Sequence, residues 1–263
     1  MLYHPYMPPD LLEEKLQELE RRFTESAREI SELRKLLPPA ARREIAEITD
    51  EWHGIHYKWW VFTLAGALVL FCLSYALYTK LGWVADQRAL PIGNDWLLRH
   101  LPLVNTLPIL SWGWFGLHLY ACGAAVAYSP RRTPFLIFLL TVYMIVRTAF
   151  VFLSPIGAPA GMVDMRLHDA IFSRILGTWT FTNEFVFSGH TAIPFLFFLF
   201  FRTPGLKRLM FAGSLVMAVS VLLSRNHYTV DVIAAFFVSY SVYALAEAGF
   251  ERFIEPLFKT VST

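Results

Sequence analysis

The sequence contains little charge and almost no cysteine. Charged residues make up 17% of its 263 residues, the formal net charge is +2, and there are two cysteines. A net charge this small gives no reason to expect nucleic acid as a partner. Cys72 and Cys122 each lie within an apolar run and show no metal-ligand spacing. We therefore expect both to be small packing residues that form no disulfide.

Apolar and aromatic residues, in contrast, are abundant. Hydrophobic residues make up 56% of the chain and aromatic residues 16%, which is more than the core of one soluble domain requires. About 20 apolar residues cross the ~30 Å hydrocarbon layer of a bilayer as a helix. The apolar runs predict an all-α polytopic membrane protein with six transmembrane helices, at approximately 59–79, 107–127, 134–154, 185–201, 208–224 and 229–249.

Residues 1–58 form a polar segment with a heptad pattern, ahead of a predicted membrane domain at 59–250 and a tail at 251–263. Pro38 and Pro39 end the pattern, because proline interrupts a helix. The pattern favours a coiled coil that forms a homo-oligomer through residues 12–37. An amphipathic helix lying on lipid or on the protein itself is the alternative interpretation. The seam consists of Leu12, Leu16, Leu19, Phe23, Ser26, Ile30, Leu33 and Leu37.

Basic residues are unevenly distributed between the predicted spans. The short connections "SPRRTP" at 129–134 and "RTPGLKR" at 202–208 are basic and lie on the same side as the amino-terminal segment. Because basic loops stay in the cytoplasm, both termini are expected there. The long connections at 80–106 and 155–184 then face the outside or a lumen. Spans four and six both begin on that outward face.

Two histidines and a carboxylate occupy the beginnings of these two spans. His227 and Asp231 are four residues apart, so a helix places them on one face. The carboxylate can accept the imidazole N–H and leave the other ring nitrogen as nucleophile or base. His190, at the beginning of span four, supplies an acid for a leaving group. This combination favours phosphoryl transfer through a phosphohistidine.

Ser188 and Gly189 precede His190 and suit the binding of an anion. Glycine permits a close approach of backbone, and a helix that begins near Ser188 has free N–H groups at its end. No cluster of Asp and Glu residues has the pattern of a magnesium site. We therefore expect a reaction that needs neither a metal ion nor another cofactor.

Three motifs carry a resemblance to a known family. "FSGHT" at 187–191, "HYTVDV" at 227–232 and "VRTAFVFLSPIGAP" at 146–159 resemble motifs of the sphingomyelin synthase family, a branch of the type 2 phosphatidic acid phosphatase superfamily. The resemblance implies six spans, cytosolic termini and an outward-facing site. It also implies that His227 is the nucleophile, that Asp231 orients it, and that His190 protonates the departing diacylglycerol oxygen and later deprotonates the acceptor.

Three further residues are candidates for substrate binding. Glu184 stands at the family's acidic position four residues before Ser188, although Thr182-Asn183 replaces the family's Cys-Gly. It is expected to contact the head group or relay a proton, and an ordinary interfacial charge is the alternative. Arg147 and Arg225 are candidate phosphate ligands. Arg147 has the alternatives of snorkelling to the interface or neutralising Asp231 or Glu184.

The sequence thus predicts a transferase that acts on membrane lipids. It would move a phosphocholine- or phosphoethanolamine-type group from a glycerophospholipid to a lipid alcohol such as ceramide. A lipid phosphate phosphatase, with water as acceptor, is the alternative. The Lys-x6-Arg-Pro motif of the classical phosphatase branch is missing before Ser188, which favours the transferase. A non-catalytic scaffold is a third possibility, which the intact histidines and aspartate disfavour.

Overall fold

The computed structural model describes residues 9–253 except 54, 56, 92, 165–182 and 184. The chain divides into two compact units, Met1–His53 and Gly54–Thr263. The predicted outward connection at 155–184 therefore lies partly outside the described residues, and so does the predicted tail from 254 onwards.

The amino-terminal unit consists of two helices, α1 (Pro9–Leu36) and α2 (Pro39–His53). α1 ends just before Pro38 because the residue that precedes a proline disfavours helical backbone angles. Pro39 is tolerated as the first residue of α2, where its missing N–H is not needed. Five apolar side chains of the heptad seam are exposed in α1: Leu16, Leu19, Phe23, Ile30 and Leu33. Their pairing with a second copy stays a prediction.

The second unit is a bundle of helices with one minimal sheet. Strands β1 (Leu90–Pro91) and β2 (Ile156–Gly157) pair in parallel. A π-helical turn at Ile109–Gly113 leads into α5, and a 3₁₀ turn at Pro130–Arg132 leads into α6. The helices are α3 (Tyr57–Asp86), α4 (Trp96–His100), α5 (Trp114–Tyr128), α6 (Thr133–Leu153), α7 (Gly189–Phe200), α8 (Pro204–Leu223) and α9 (Thr229–Phe253).

Five helical segments of the described chain are long and apolar enough to cross a bilayer. They indicate an integral membrane protein and are consistent with the all-α polytopic prediction. The predicted fourth span differs, since α7 has 12 residues and is about 18 Å long at the α-helical rise. The sixth crossing therefore stays a prediction. The five segments are Tyr57–Asp86, Ile109–Tyr128, Pro130–Leu153, Pro204–Leu223 and Thr229–Arg252.

α7 occupies the centre of the bundle and packs against α5, α8 and α9. Its phenylalanines Phe197 and Phe200, with Phe201 just after it, are almost completely buried. The phenylalanine-rich run thus contributes much of the core. Cys72 and Cys122, in contrast, are free and exposed on α3 and α5, so the expectation that they are packing residues was wrong. A thiol behaves as a small apolar group and tolerates an outward position.

Arg132 ties the carboxyl end of α7 to the neighbouring helices. Its guanidinium donates to the Phe200 carbonyl at 3.2 Å and to the Tyr243 hydroxyl at 3.3 Å. It also forms an ion pair with Glu247 at 3.4 Å. Because the last carbonyls of a helix have no partner within it, this arginine supplies one and joins α7 to α9.

Gly157 lies where two backbone segments approach each other at the opposite end of the bundle. A Cβ at this position would come within 2.8 Å of the Pro91 nitrogen and 2.9 Å of the Leu90 carbonyl carbon. The Gly157 carbonyl also accepts a hydrogen bond from the Tyr228 hydroxyl at 3.2 Å. The glycine of the "SPIGAP" sequence therefore allows the sheet to form and connects it to the residues just before α9.

We expect Gly157→Ala to destabilise the protein by about 1–3 kcal/mol, since the methyl group collides with backbone atoms that have no rotamer to change. Thermal unfolding of the detergent-solubilised protein measures the effect. Gly123→Ala is the matched control, because nothing lies within 4 Å of a Cβ there and alanine favours a helix. Equal midpoints for Gly157→Ala and wild type would contradict the role assigned to Gly157.

Candidate active site

Ser188 joins the two histidine motifs. It is the N-cap of α7, and its Oγ accepts hydrogen bonds from the Thr191 amide at 3.3 Å and the Thr191 hydroxyl at 3.1 Å. Its own amide donates to the Asp231 carbonyl at 3.1 Å. The beginnings of α7 and α9 are therefore held side by side through the backbone. The Ser188 side chain is completely buried and serves as a helix cap.

His227 and Asp231 form the pair that the sequence predicts. His227 Nδ1 lies 3.3 Å from Asp231 Oδ2, and both side chains are buried. The same carboxylate oxygen accepts the Tyr228 amide at 3.0 Å. Asp231 Oδ1 has no hydrogen-bond partner among the described residues. With Nδ1 directed at the carboxylate, Nε2 is the ring nitrogen left for a substrate. Phe185 packs edge-to-face with the His227 ring, and the two ring centroids are 5.5 Å apart.

His190 is the second residue of α7 and lies close enough to His227 and Arg147 for their charges to interact. Its ring packs against Trp114 of α5, with the ring centroids 5.5 Å apart. Trp114 also packs against His118, with the ring centroids 3.8 Å apart and the two rings tilted by 33°. The described structure thus brings His190 and His227 to one end of the bundle, as the sequence predicts. His227 lies two residues before α9 begins at Thr229, and not on the helix itself as its spacing from Asp231 suggested.

The π-helical turn before α5 explains how a backbone carbonyl reaches His190. The Trp114 amide bonds to the carbonyls of Ile109 and Ser111, so it does not use the carbonyl of Leu110. The Leu110 carbonyl lies beside the His190 ring, as an acceptor for its N–H. Single π-helical turns recur at functional sites because they change backbone hydrogen bonding locally. The sequence carries no signal for this contact.

Arg147 lies behind the loop that precedes α7. It is 4% exposed, donates to the Phe187 carbonyl, and donates through Nε to the Tyr78 hydroxyl at 3.1 Å. Its Cζ would be 3.6 Å from a Cβ at Gly189. A buried guanidinium with these partners does not snorkel to the interface. Its positive charge lies next to the amino-terminal end of α7.

Arg225 adopts an uncommon backbone conformation just before His227. Its φ of 54° is the only positive value for a non-glycine residue in the described chain, and such conformations cluster at functional sites. Arg225 Nη1 donates to the Ala160 carbonyl at 3.2 Å. Gly161 leaves room for it, since a Cβ there would come within 2.9 Å of Nη1. Arg225 Nε has no partner among the described residues.

Asn183 has a structural role that sequence reasoning missed. Its amide and its side-chain Nδ2 both donate to Asp86 Oδ1 at 2.7 Å. Its Oδ1 accepts from the Ala158 amide at 3.1 Å. The residue that departs from the family pattern thus connects the end of α3 with the segment after β2. Glu184, the candidate that follows it, lies outside the described residues.

Asp95 also escaped sequence reasoning, because a single aspartate in a long connection has no recognisable pattern. Its carboxylate accepts hydrogen bonds from Thr229 at the beginning of α9 and from the Leu98 amide of α4. Partial burial acts to raise the pKa of Asp95, but the hydrogen bonds from Thr229 and Leu98 outweigh it, so the pKa lies below its usual value.

Residues 183–248 match the family model described as PAP2 superfamily C-terminal. This match supports the type 2 phosphatidic acid phosphatase superfamily. The matched segment contains Ser188, His190, His227 and Asp231. It indicates a function of the lipid phosphatase or phosphotransferase type. No curated protein matches the chain significantly.

We expect Arg147→Lys to destabilise the protein by about 1–3 kcal/mol, because an ammonium cannot replace a planar guanidinium that serves two separate acceptors. Tyr78→Phe removes one of these bonds and is expected to cost about 1 kcal/mol. Thermal unfolding in detergent compares the two variants. Arg99→Lys is the control, since Arg99 is exposed. If Arg147→Lys unfolds at the same temperature as wild type, the two buried hydrogen bonds of the Arg147 guanidinium are not needed for stability.

Proposed function

We propose that the protein is a phospholipid head-group transferase that works through a phosphohistidine on His227. The observation that carries the proposal is the His227–Asp231 pair, held next to the beginning of α7 by the hydrogen bond from the Ser188 amide to the Asp231 carbonyl. A nucleophile with an orienting acid, together with a second histidine on a separate helix, is the minimum set for a displacement with acid catalysis.

In the first step, His227 Nε2 attacks the phosphorus of a glycerophospholipid. A nitrogen–phosphorus bond forms while the bond between phosphorus and the glycerol oxygen breaks. His190 donates its proton to that oxygen, and diacylglycerol leaves. Asp231 accepts the hydrogen bond of His227 Nδ1, which fixes the tautomer and stabilises the positive charge that develops on the ring.

In the second step, the neutral His190 removes the proton from the hydroxyl group of the acceptor. The hydroxyl oxygen attacks phosphorus, the nitrogen–phosphorus bond breaks, and His227 is regenerated. His190 ends the cycle protonated, so the charges and protons of the two steps balance. The Leu110 carbonyl, which lies beside the ring as an acceptor for its N–H, keeps His190 oriented in both steps.

The arginines supply positive charge for the phosphoryl oxygens. The Cζ of Arg147 would lie 3.6 Å from a Cβ placed on Gly189. A phosphate that approaches the Gly189 backbone therefore comes close to the positive charge of this guanidinium. Arg225 contributes a donor, Nε, that no described residue uses. Charge of this kind in a dry site stabilises a phosphoryl transition state more strongly than in water. The negative charge of the phosphate also favours a protonated His190.

Ceramide or a similar lipid alcohol is the proposed acceptor. The missing Lys-x6-Arg-Pro motif and the family resemblance support it. Burial of His227 against Phe185 and Tyr228 also supports it, because restricted water favours a lipid hydroxyl over hydrolysis. With phosphatidic acid as the donor and water as the acceptor, the same two steps would release inorganic phosphate and make the protein a lipid phosphate phosphatase. The proposal further places both termini in the cytoplasm and the site on the opposite face.

Liposomes that contain phosphatidylcholine or phosphatidylethanolamine test the first step. We expect the purified protein to release diacylglycerol, and His227→Ala to reduce the rate at least 10³-fold, since no other group replaces the nucleophile. His100→Ala is the matched control, because His100 is exposed at the end of α4 and should keep wild-type activity. Undiminished release by His227→Ala would refute the assignment.

Leaving-group acidity separates the role of His190 from that of His227. We expect His190→Ala to be strongly impaired with a natural phospholipid, but much less with a nitrophenyl phosphodiester, whose phenolate leaves without protonation. His227→Ala should fail with both substrates. Equal impairment of His190→Ala with the two substrates would exclude its role as the acid.

Added ceramide identifies the acceptor. A phosphosphingolipid detected by mass spectrometry supports the transferase, whereas free phosphate from phosphatidic acid without a lipid product supports the phosphatase. Both outcomes require a functional His227, so the experiment tests the acceptor separately from the first step.

We also propose that α1 mediates self-association through its heptad seam. Exposed leucines at seam positions support this, since water contact with them is unfavourable. Leu16→Glu combined with Leu33→Glu is expected to reduce the particle mass in detergent to that of a monomer. Gln17→Glu combined with Ser31→Glu, off the seam, should leave it unchanged. An unchanged mass of the seam variant, measured by light scattering, would contradict the proposal.

A further inference from the structure

The carboxylate of Asp95 connects the loop between α3 and α5 with the first residue of α9. Asp95 Oδ2 accepts the Thr229 amide at 2.6 Å, and Oδ1 accepts the Thr229 hydroxyl at 2.8 Å. Oδ1 also accepts the Leu98 amide at 3.1 Å. Asp95 precedes Thr229 by 134 positions, so these bonds are long-range and depend on the folded bundle.

Asp95 thereby caps two helices. It is the N-cap of α4, the short helix that follows it. The Thr229 amide is one of the first amides of α9, which have no acceptor within that helix. A carboxylate beside the amino terminus of a helix is also favoured by the helix dipole. Although partial burial acts to raise the pKa of Asp95, the hydrogen bonds from Thr229 and Leu98 lower it below its usual value.

Thr229 is positioned centrally in the candidate active site. It lies two residues after His227 and two residues before Asp231. The intervening Tyr228 donates its amide to the Asp231 carboxylate, so residues 227–231 form one hydrogen-bonded turn. Hydrogen bonds that hold Thr229 in place therefore also hold the His227 ring in its orientation relative to the Asp231 carboxylate.

Packing beneath the turn strengthens this connection. Leu98 of α4 forms a small buried cluster with Phe185 and Tyr228. Phe185 packs edge-on against the His227 ring at 5.5 Å. α4 thus supports the His227 turn twice, through the Asp95 carboxylate and through the apolar side of Leu98.

We propose that Asp95 is a positioning residue for phosphoryl transfer, which holds Thr229 and through it the His227–Asp231 pair in the reactive geometry. This inference rests on the proposed function of His227. Asp95 acts through Thr229 and takes no part in the bond changes. An error of about 1 Å in the position of a reacting group reduces a rate by about 10²-fold, so a distant hydrogen bond has a measurable effect on kcat.

The test compares four variants in the diacylglycerol-release assay with phosphatidylcholine liposomes that also contain ceramide as the acceptor: Asp95→Asn, Thr229→Val, Thr229→Ser and the double variant of Asp95→Asn with Thr229→Val. Asparagine has one acceptor oxygen where aspartate has two, so the Thr229 and Leu98 donors cannot all be satisfied. We expect Asp95→Asn to lower kcat at least tenfold with the KM for phosphatidylcholine changed less than threefold. Thr229→Ser keeps the hydroxyl and should therefore lower kcat far less than Thr229→Val, which removes it.

The double variant decides whether Asp95 acts through Thr229. Residues that act through one contact give non-additive effects, so the double variant should be about as active as Asp95→Asn alone. If the fold reductions in kcat of the two single variants multiply in the double variant, the proposal is overturned. A wild-type kcat for Asp95→Asn, or a loss of activity that matches the loss of folded protein measured by size-exclusion chromatography, would also overturn it.

Two controls keep the inference separate from the proposed function. If wild-type protein releases no diacylglycerol, the proposed function fails. If wild type is active, His227→Ala is inactive and Asp95→Asn is fully active, only the positioning role fails. Should Asp95→Asn not fold, the Thr229→Val and Thr229→Ser pair still decides, because equal kcat values for these two variants would overturn the proposal.

Discussion

One backbone hydrogen bond, from the Ser188 amide to the Asp231 carbonyl, determines where the candidate site can form. It joins the first turn of α7 to the first turn of α9, so that His190 and His227 lie at the same end of the bundle. Most other contacts at this end maintain that junction. Arg147 binds the Phe187 carbonyl just before Ser188, and the other residues extend the same network outward.

Burial of polar groups explains why the network is extensive. A charged group in an apolar bundle is costly unless it has partners, and Arg147 and Asp231 are both almost completely buried. The guanidinium meets a carbonyl and a hydroxyl, and the carboxylate meets an imidazole and an amide. Asp231 Oδ1 and Arg225 Nε are among the buried side-chain atoms that have no hydrogen-bond partner in the described part of the chain, and both belong to residues of the proposed phosphoryl-transfer site.

Much of the bundle was predictable because apolar runs and capping residues are local signals. The runs predict the five long helices closely, and Pro38 marks the end of α1. The length of α7 was not predictable from hydrophobicity, since Ser188 starts the helix four residues into the apolar run. The position of Phe197 in the core was not predictable from hydrophobicity either, because an apolar residue suits both lipid contact and the protein interior.

The sequence by itself determined the chemistry that is available: His190 at one helix start, and His227 with Asp231 at another, four residues apart. The spacing predicts that the last two lie on one face of a helix, but α9 begins only at Thr229, and the turn closed by the Tyr228 amide on Asp231 brings the pair together. Tertiary structure decided which residues support them. Asp95, Asn183 and the Leu110 carbonyl have no local pattern, because each contacts a partner distant in the chain. Such contacts exist only after the helices have packed, since packing alone sets the distances between them.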